Sequence, residues 1–274
     1  MLQLSEIYIY PIKSLGGIRL SEAEITTRGI KYDRRWMLVD ANGRFMSQRE
    51  FPKMTLLKTS IFTNFLKIDD STTEKELLIR HEPALINVEK KVMVSVWDDH
   101  DIVAYEVGNL ANNWFSEALG TPTRLVYMPE ESHRKVEEKY FVEGDEITSF
   151  SDGYPILIIG TASLADLNNR LESPVTINRF RPNFVFTGGG AYEEEDWHKF
   201  TIGGVIFYGV KPCGRCVMTT INQETGQKTG KEPLLTLSKY RKVGNKILFG
   251  QNVLASQLGT VREGDFMKVL SRIS

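Results

Sequence analysis

Apolar residues in the first hundred positions fall in short β-branched and aromatic runs: Ile7-Tyr8-Ile9-Tyr10, Trp36-Met37-Leu38-Val39, Leu77-Leu78-Ile79 and Val92-Met93-Val94. Runs of this length, separated by turn-forming residues, predict strands of an antiparallel sheet or partly open barrel. Asp40-Ala41-Asn42-Gly43-Arg44 contains Asn-Gly, which tolerates the positive φ of a hairpin connection. The period then changes. Val107, Leu110, Ala111, Trp114, Phe115, Ala118 and Leu119 recur at three- and four-residue intervals and stop at Gly120 and Pro122, predicting an amphipathic helix that packs on a sheet. Residues 129–139 are charged and aperiodic and read as a loop or linker, so a boundary is expected near residue 125.

Beyond that point, Pro155-Ile156-Leu157-Ile158-Ile159 reads as a buried strand. Thr161 then caps a helix with Leu164, Leu167 and Leu171 on one face. Strands are expected at 183–186, 205–208 and 266–270, and a short helix from Pro233, where a first-turn proline forfeits no hydrogen bond. The expected fold class is mainly β with peripheral helices (α+β). It comprises two β-barrel-like domains, residues 1–125 and 126–274.

Composition narrows the function classes. Thirty-four basic residues against 35 acidic ones leave a formal charge of -1, so bulk charge draws the chain to neither nucleic acid nor an anionic membrane, and any anion site is local. No apolar run approaches the roughly 20 residues of a membrane-spanning helix, and Met1-Leu2-Gln3-Leu4-Ser5-Glu6 lacks the basic start of a secretory signal. A cytoplasmic location without membrane partners is the expectation. Two cysteines, Cys213 and Cys216, are too few for a disulfide framework.

Lys211-Pro212-Cys213-Gly214-Arg215-Cys216 is the most chemically loaded stretch, because a thiolate is both nucleophile and soft metal ligand. A structural zinc site lacks ligands: there is no second cysteine pair, and His81, His100, His133 and His198 are dispersed. A thioredoxin-like pair would sit where a strand enters a helix, whereas Val217-Met218-Thr219-Thr220-Ile221 favours strand. A third reading makes one thiolate the ligand of a transition metal carried by an organic cofactor, with Arg215 lowering the thiol pKa. Spacing alone leaves the redox, metal and inert-thiol readings open.

Cys213-Gly214-Arg215-Cys216-Val217-Met218-Thr219-Thr220, followed by Thr225-Gly226, Lys231-Glu232-Pro233-Leu234 and Phe249-Gly250-Gln251-Asn252, resembles the C-terminal signature of the MOSC-domain family. Tyr10-Pro11-Ile12-Lys13-Ser14 and Asp33-Arg34-Arg35-Trp36 resemble the family's N-terminal β-barrel domain. Ser151-Asp152-Gly153-Tyr154-Pro155, Ala162-Ser163-Leu164-Ala165-Asp166-Leu167-Asn168 and Asn178-Arg179-Phe180-Arg181-Pro182-Asn183 fill the interval. The resemblance thus covers nearly the whole chain.

It implies a molybdenum cofactor (molybdopterin with Mo) at the junction of the two domains, with Cys216 as metal ligand and catalytic residue and Cys213 as a small residue shaping the turn. It implies cofactor contacts from Lys13, Ser14, Arg34, Arg49, Arg181 and Asn183, with Arg215 beside the ligand; Arg49 matches least well. Guanidinium forks suit a phosphate. Serine or threonine is common in the family near Gly153 and Gly214, so hydroxyl contacts there are absent. The implied activity is two-electron reduction of a small N-hydroxylated compound with electrons from a separate flavin or haem carrier protein, since neither a ferredoxin-like domain nor an anchor is evident. Asp152 is a candidate general acid or a turn residue. The alternative is a cofactor or sulfur carrier without reductase turnover, as in molybdenum-cofactor sulfurases, whose pyridoxal-phosphate half has no room here.

Overall fold

The strand Gln3–Ile9 sets the tone of the architecture: Leu4, Ile7 and Ile9 are buried, and a bulge between Leu4 and Glu6 brings Leu4 and Ile7, three residues apart, onto one core. The structure is a computed structural model and describes residues 1–81 and 90–273. The largest sheet runs Ile18–Leu20, Gln3–Ile9, Phe184–Thr187, Ile156–Gly160, Lys246–Ala255, Val205–Arg215, Trp197–Ile202, Met267–Arg272, with Lys242–Val243 appended to Lys246–Ala255. Only Ile156–Gly160 and Phe184–Thr187 pair in parallel within it. A smaller sheet, Gly259–Arg262, Glu22–Thr26, Gly29–Ile30, closes over its core, so residues from both ends of the sequence share one apolar cluster.

A second set of sheets is built from the first 130 residues: Trp36–Val39, Arg124–Tyr127, Asp99–Glu106 and Lys91–Val96 in one, Leu57–Ile61, Phe65–Asp70 and Glu76–Arg80 in the other. Trp36–Val39 is buried on both faces, Trp36 and Leu38 in one cluster and Met37 and Val39 in the next. A strand covered twice needs no polar alternation, which is why it reads as an unbroken apolar run. The helix α1 (Asn109–Leu119) buries Ala111 and Phe115 against the cluster of Trp36 and Leu38 and ends at Gly120 in the left-handed conformation. The fold is therefore mainly β with peripheral helices, as expected.

Three local expectations need correction. Helix α2 (Thr161–Asn168) has no side-chain cap, from Thr161 or any other residue; Gly160 is the N-cap, and the Glu194 carboxylate, from a distant segment, accepts from Gly160 N at 3.1 Å and Ser163 Oγ at 2.9 Å beside that end of the helix. Residues 217–220 form a 3-10 turn rather than a strand, because Thr219 N and Oγ1 both donate to Cys216 O and curl the chain. The charged stretch after 129 is pinned: Arg134–Lys135 pairs with Ile147–Thr148, and Arg134, buried, donates to Asp99 and to the carbonyls of Ser149, Ser151 and Asp152. Helix α3 (Leu234–Tyr240) begins just after Pro233, near the expected start.

Gly250 lies in Lys246–Ala255 at φ +79°, where an added Cβ would sit 2.7 Å from Ile159 Cγ1 and 2.9 Å from Ile158 O. Gly250→Ala combines a left-handed φ with overpacking, so it should lower unfolding free energy by about 2–4 kcal/mol. A thermal melt within a degree or two of wild type would contradict that account.

Candidate functional site

The strands Val205–Arg215 and Lys246–Ala255 pair antiparallel with register breaks between Gly209 and Lys211 and between Pro212 and Gly214. These breaks re-aim the strand end. It delivers Arg215 and then Cys216, whose carbonyl is gripped by Thr219. Facing it is the loop after Gln3–Ile9. Lys13 N donates to Trp36 O and Trp36 N to Pro11 O, while Gln48 Nε2 binds Ser14 O and exchanges amide contacts with Gln223. Between the two lies a cavity of about 520 Å³. Lys13, Ser14, Arg34, Arg49, Arg181, Asn183, Arg215 and Cys216 all line it, although they span more than two hundred residues of sequence.

The cations are held by specific partners. Arg34 Nη1 donates to Asp33 Oδ2 (2.6 Å) and Asn183 Oδ1 (3.0 Å), and Asp33, buried, also accepts from Tyr10 N. The guanidinium carbons of Arg34 and Arg181 lie 4.3 and 4.1 Å from the centre of the Tyr10 ring. Asn183 is 1 % exposed and uses its amide on Tyr8 O, Leu157 N and Arg34. Arg215 donates from Nε to Phe249 O and from Nη1 to Phe180 O. Ser14, Arg34 and Arg181 all adopt left-handed φ of 69, 49 and 52°, an uncommon concentration for non-glycine residues.

Burial has an electrostatic cost. It pulls the Lys13 ammonium down to about 8, against the opposing pull of Asp152, which it meets at 2.5 Å. It lowers Arg181 to about 10. Crowding by the cavity wall alone would raise Asp152, yet Lys13 and a hydrogen bond from Trp97 Nε1 hold its carboxyl well below the usual range, although 63 % of that side chain faces the open cavity. Asp152 is therefore a carboxylate that orients Lys13, and as a general acid it is mismatched to neutral pH.

Of the buried guanidinium nitrogens without a partner among the described residues, two belong to arginines that line this cavity, Arg181 Nη2 and Arg215 Nη2. A buried charged donor left unpaired is costly, and two of them lining one cavity fit an anionic oxygen-rich group such as phosphate. The two sulfurs differ. Cys213 is half-buried against the apolar cluster of Phe180 and Phe249, and burial raises its thiol pKa; Cys216 is exposed. The guanidinium in contact with Cys216 Sγ is that of Arg49, at 3.7 Å, whereas Arg215 turns its Nε and Nη1 to backbone carbonyls and leaves only Nη2 unpartnered. Among the described residues no group of three or more His, Cys, Asp or Glu side chains is placed to hold a bare metal ion.

Sequence reading gave no role to Trp97, Tyr10 or Asp33. Tyr10 and Asp33 sit inside motifs quoted for the resemblance. Trp97 had only one signal, an aromatic isolated among the acids of a hairpin turn.

The chain matches the MOSC N-terminal beta barrel domain over residues 1–122 and the MOSC domain over residues 145–268. It belongs to the MOSC-domain family. Its curated relatives include mitochondrial amidoxime-reducing component 1 of Homo sapiens, 33% identical over 98% of this chain and 83% of that one, and of Mus musculus, 34% identical over 98% and 82%. The molybdenum cofactor sulfurase of Oryza sativa subsp. japonica is 32% identical over 91% of this chain but only 32% of its own length. Among the described residues no helix is long and apolar enough to cross a membrane.

The depressed Lys13 pKa gives a signed prediction. Between about pH 8 and 10 the unfolded chain holds a proton that the folded chain has released, so stability rises with pH in that window. Relative to Lys13→Met, wild type should gain on the order of 1–2 kcal/mol from pH 8 to 9.5. Parallel denaturation profiles for the two proteins would mean that Lys13 titrates normally.

Proposed function

We propose that the cavity binds a molybdenum cofactor and that the protein reduces small N-hydroxylated compounds. The observation that carries this reading is the convergence on one cavity of an exposed Cys216 sulfur with two unpartnered guanidinium nitrogens, Arg181 Nη2 and Arg215 Nη2. The names of the relatives, an amidoxime-reducing component and a molybdenum cofactor sulfurase, supply the chemistry of the ligand. Arg181 and Arg215 would hold its phosphate and Cys216 Sγ its metal, with Ser14 and Arg34 on the polar part and the buried Asn183 amide fixing Arg34 from behind. The division of the chain near residue 125, with the ligand between the two parts, belongs to the same proposal; it is supported by the two family matches and qualified by Gln3–Ile9, which pairs with Phe184–Thr187.

When bound, the cofactor supplies a two-electron couple. Converting R–NHOH to R–NH2 and water consumes two electrons and two protons. The electrons come from a separate flavin or haem carrier, the partner that the resemblance implies; among the described residues no cluster of three or more His, Cys, Asp or Glu side chains is placed to hold a metal centre. For the protons, Lys13 Nζ is the group suited to donate, because its pKa of about 8 lies near neutrality and Asp152 keeps it in place. Phe180, Leu157 and Tyr154 add apolar surface to the cavity wall.

A carrier role without turnover is the second reading, favoured by the sulfurase relative. Protein produced in a host that makes the cofactor separates the two. Near-stoichiometric molybdenum with dye-driven reduction of a simple hydroxylamine is expected for wild type and for Cys213→Ser, and a loss of at least two orders of magnitude in turnover for Cys216→Ser. Molybdenum without turnover in wild type favours the carrier, and its absence removes both readings.

A further inference from the structure

Arg49 and Asp152 come from distant parts of the chain, yet both touch one side chain that no motif contains. Trp97 occupies the turn between Lys91–Val96 and Asp99–Glu106 at φ +56°. Its ring lies 4.1 Å from the Arg49 guanidinium carbon and 5.1 Å from the Phe45 ring, and its Nε1 donates to Asp152 Oδ1 at 3.0 Å. Arg49 in turn contacts Cys216 Sγ, and Asp152 contacts Lys13 Nζ. Among the contacts described no carboxylate lies within ion-pair distance of the Arg49 head group, although the charges of Asp152 and Glu50 reach it; its direct contacts are the Trp97 ring, the Phe45 ring at 5.8 Å and Cys216 Sγ, of which Trp97 is the nearer ring. Trp97 is 46 % exposed, so its ring is held by these few contacts rather than by a core.

We propose that Trp97 is a positioning residue that couples the two charged contacts of the cavity. Its π face holds Arg49 against the Cys216 sulfur, and its N–H holds the Asp152 carboxylate against Lys13. The strained turn that presents the ring is consistent with a side chain kept for its placement. The functional meaning rests on the reading of Cys216 as the ligating thiolate; the placement itself does not.

The test reads the charge beside Cys216 in cofactor-free 274-residue protein. Iodoacetate and iodoacetamide both consume thiolate, so the ratio of their rates cancels thiol ionisation and reports the local positive charge. Trypsin cleaves after Arg215, which puts Cys213 and Cys216 on separate peptides for mass spectrometry. Trp97→Leu should lower the iodoacetate-to-iodoacetamide ratio at Cys216 by about two- to fivefold, the factor a unit charge exerts over several ångströms in water. Arg49→Ala should lower it equally. Trp97→Phe, which keeps a ring face, should remain near wild type, and Trp97→Leu added to Arg49→Ala should change nothing more. An unchanged ratio in Trp97→Leu, or a further drop of the same size on the Arg49→Ala background, overturns the proposal. Should Trp97→Leu fail to fold, Trp97→Phe falling as far as Arg49→Ala overturns it as well. None of these outcomes depends on molybdenum, so a metal-free protein would sink the cofactor reading and leave the role of Trp97 standing.

Discussion

The site depends first on one strand pairing, that of Gln3–Ile9 with Phe184–Thr187. The register of Ile7 opposite Phe184 and the bond from Tyr8 N to Asn183 O lock Gln3–Ile9, with its neighbour Ile18–Leu20, into a sheet otherwise made from the second half of the chain. Strand side chains alternate with period two, so a slip of one residue would turn Ile7 and Ile9 out of the core and swing Tyr10 and Lys13 away from Arg181. Asn183 enforces the register from the side, with its amide satisfied by Tyr8 O, Leu157 N and Arg34. Everything on the N-terminal wall of the cavity inherits its position from that seam.

The seam also explains how a nearly neutral chain concentrates positive charge. Lys13, Arg34, Arg49, Arg181 and Arg215 are gathered against few acids, of which Asp33 is buried beneath Arg34 and Asp152 is spent on Lys13. Gathering them costs desolvation, visible in the depressed values of Lys13 and Arg181, and backbone strain at Ser14, Arg34 and Arg181. A bound anion relieves the electrostatic part of that cost, so the ligand should contribute to the stability of the fold it occupies.

Element type was legible wherever burial follows a simple period. The unbroken run at Trp36–Val39, the alternation at Glu76–Arg80 and the stripe of α1 each follow directly from how many faces of the element are covered. What was illegible came from partners distant in sequence. The start of α2 is held by Glu194 through Gly160 N and Ser163 Oγ, which nothing near Thr161 announces, and the 217–220 turn follows from Thr219 folding back on Cys216 O in a segment of strand-favouring composition. For the site, all eight residues suggested by resemblance line the cavity, but their division of labour could not be read from it. Proximity in sequence suggested Arg215 as the cation at the thiol, whereas the distance favours Arg49, because Arg215 must satisfy the carbonyls of Phe180 and Phe249.

The arrangement constrains the kind of ligand that can use it. A simple anion would find Arg181 Nη2 and Arg215 Nη2 and leave the exposed Cys216 sulfur idle. A bare metal ion would find that sulfur but no companion ligands, since no cluster of three donors exists among the described residues. A ligand that brings its own metal donors, needs a single sulfur from the protein and carries a phosphate at its far end uses both. An organic cofactor with a chelated soft metal has that composition, and a cavity of about 520 Å³ between two walls of independent origin leaves room for it. In that proposal the protein's part is to keep the Cys216 sulfur and the Arg181 and Arg215 guanidinium groups around one cavity. The pairing of Gln3–Ile9 with Phe184–Thr187 and the bulged strand ahead of Cys216 accomplish that from opposite sides.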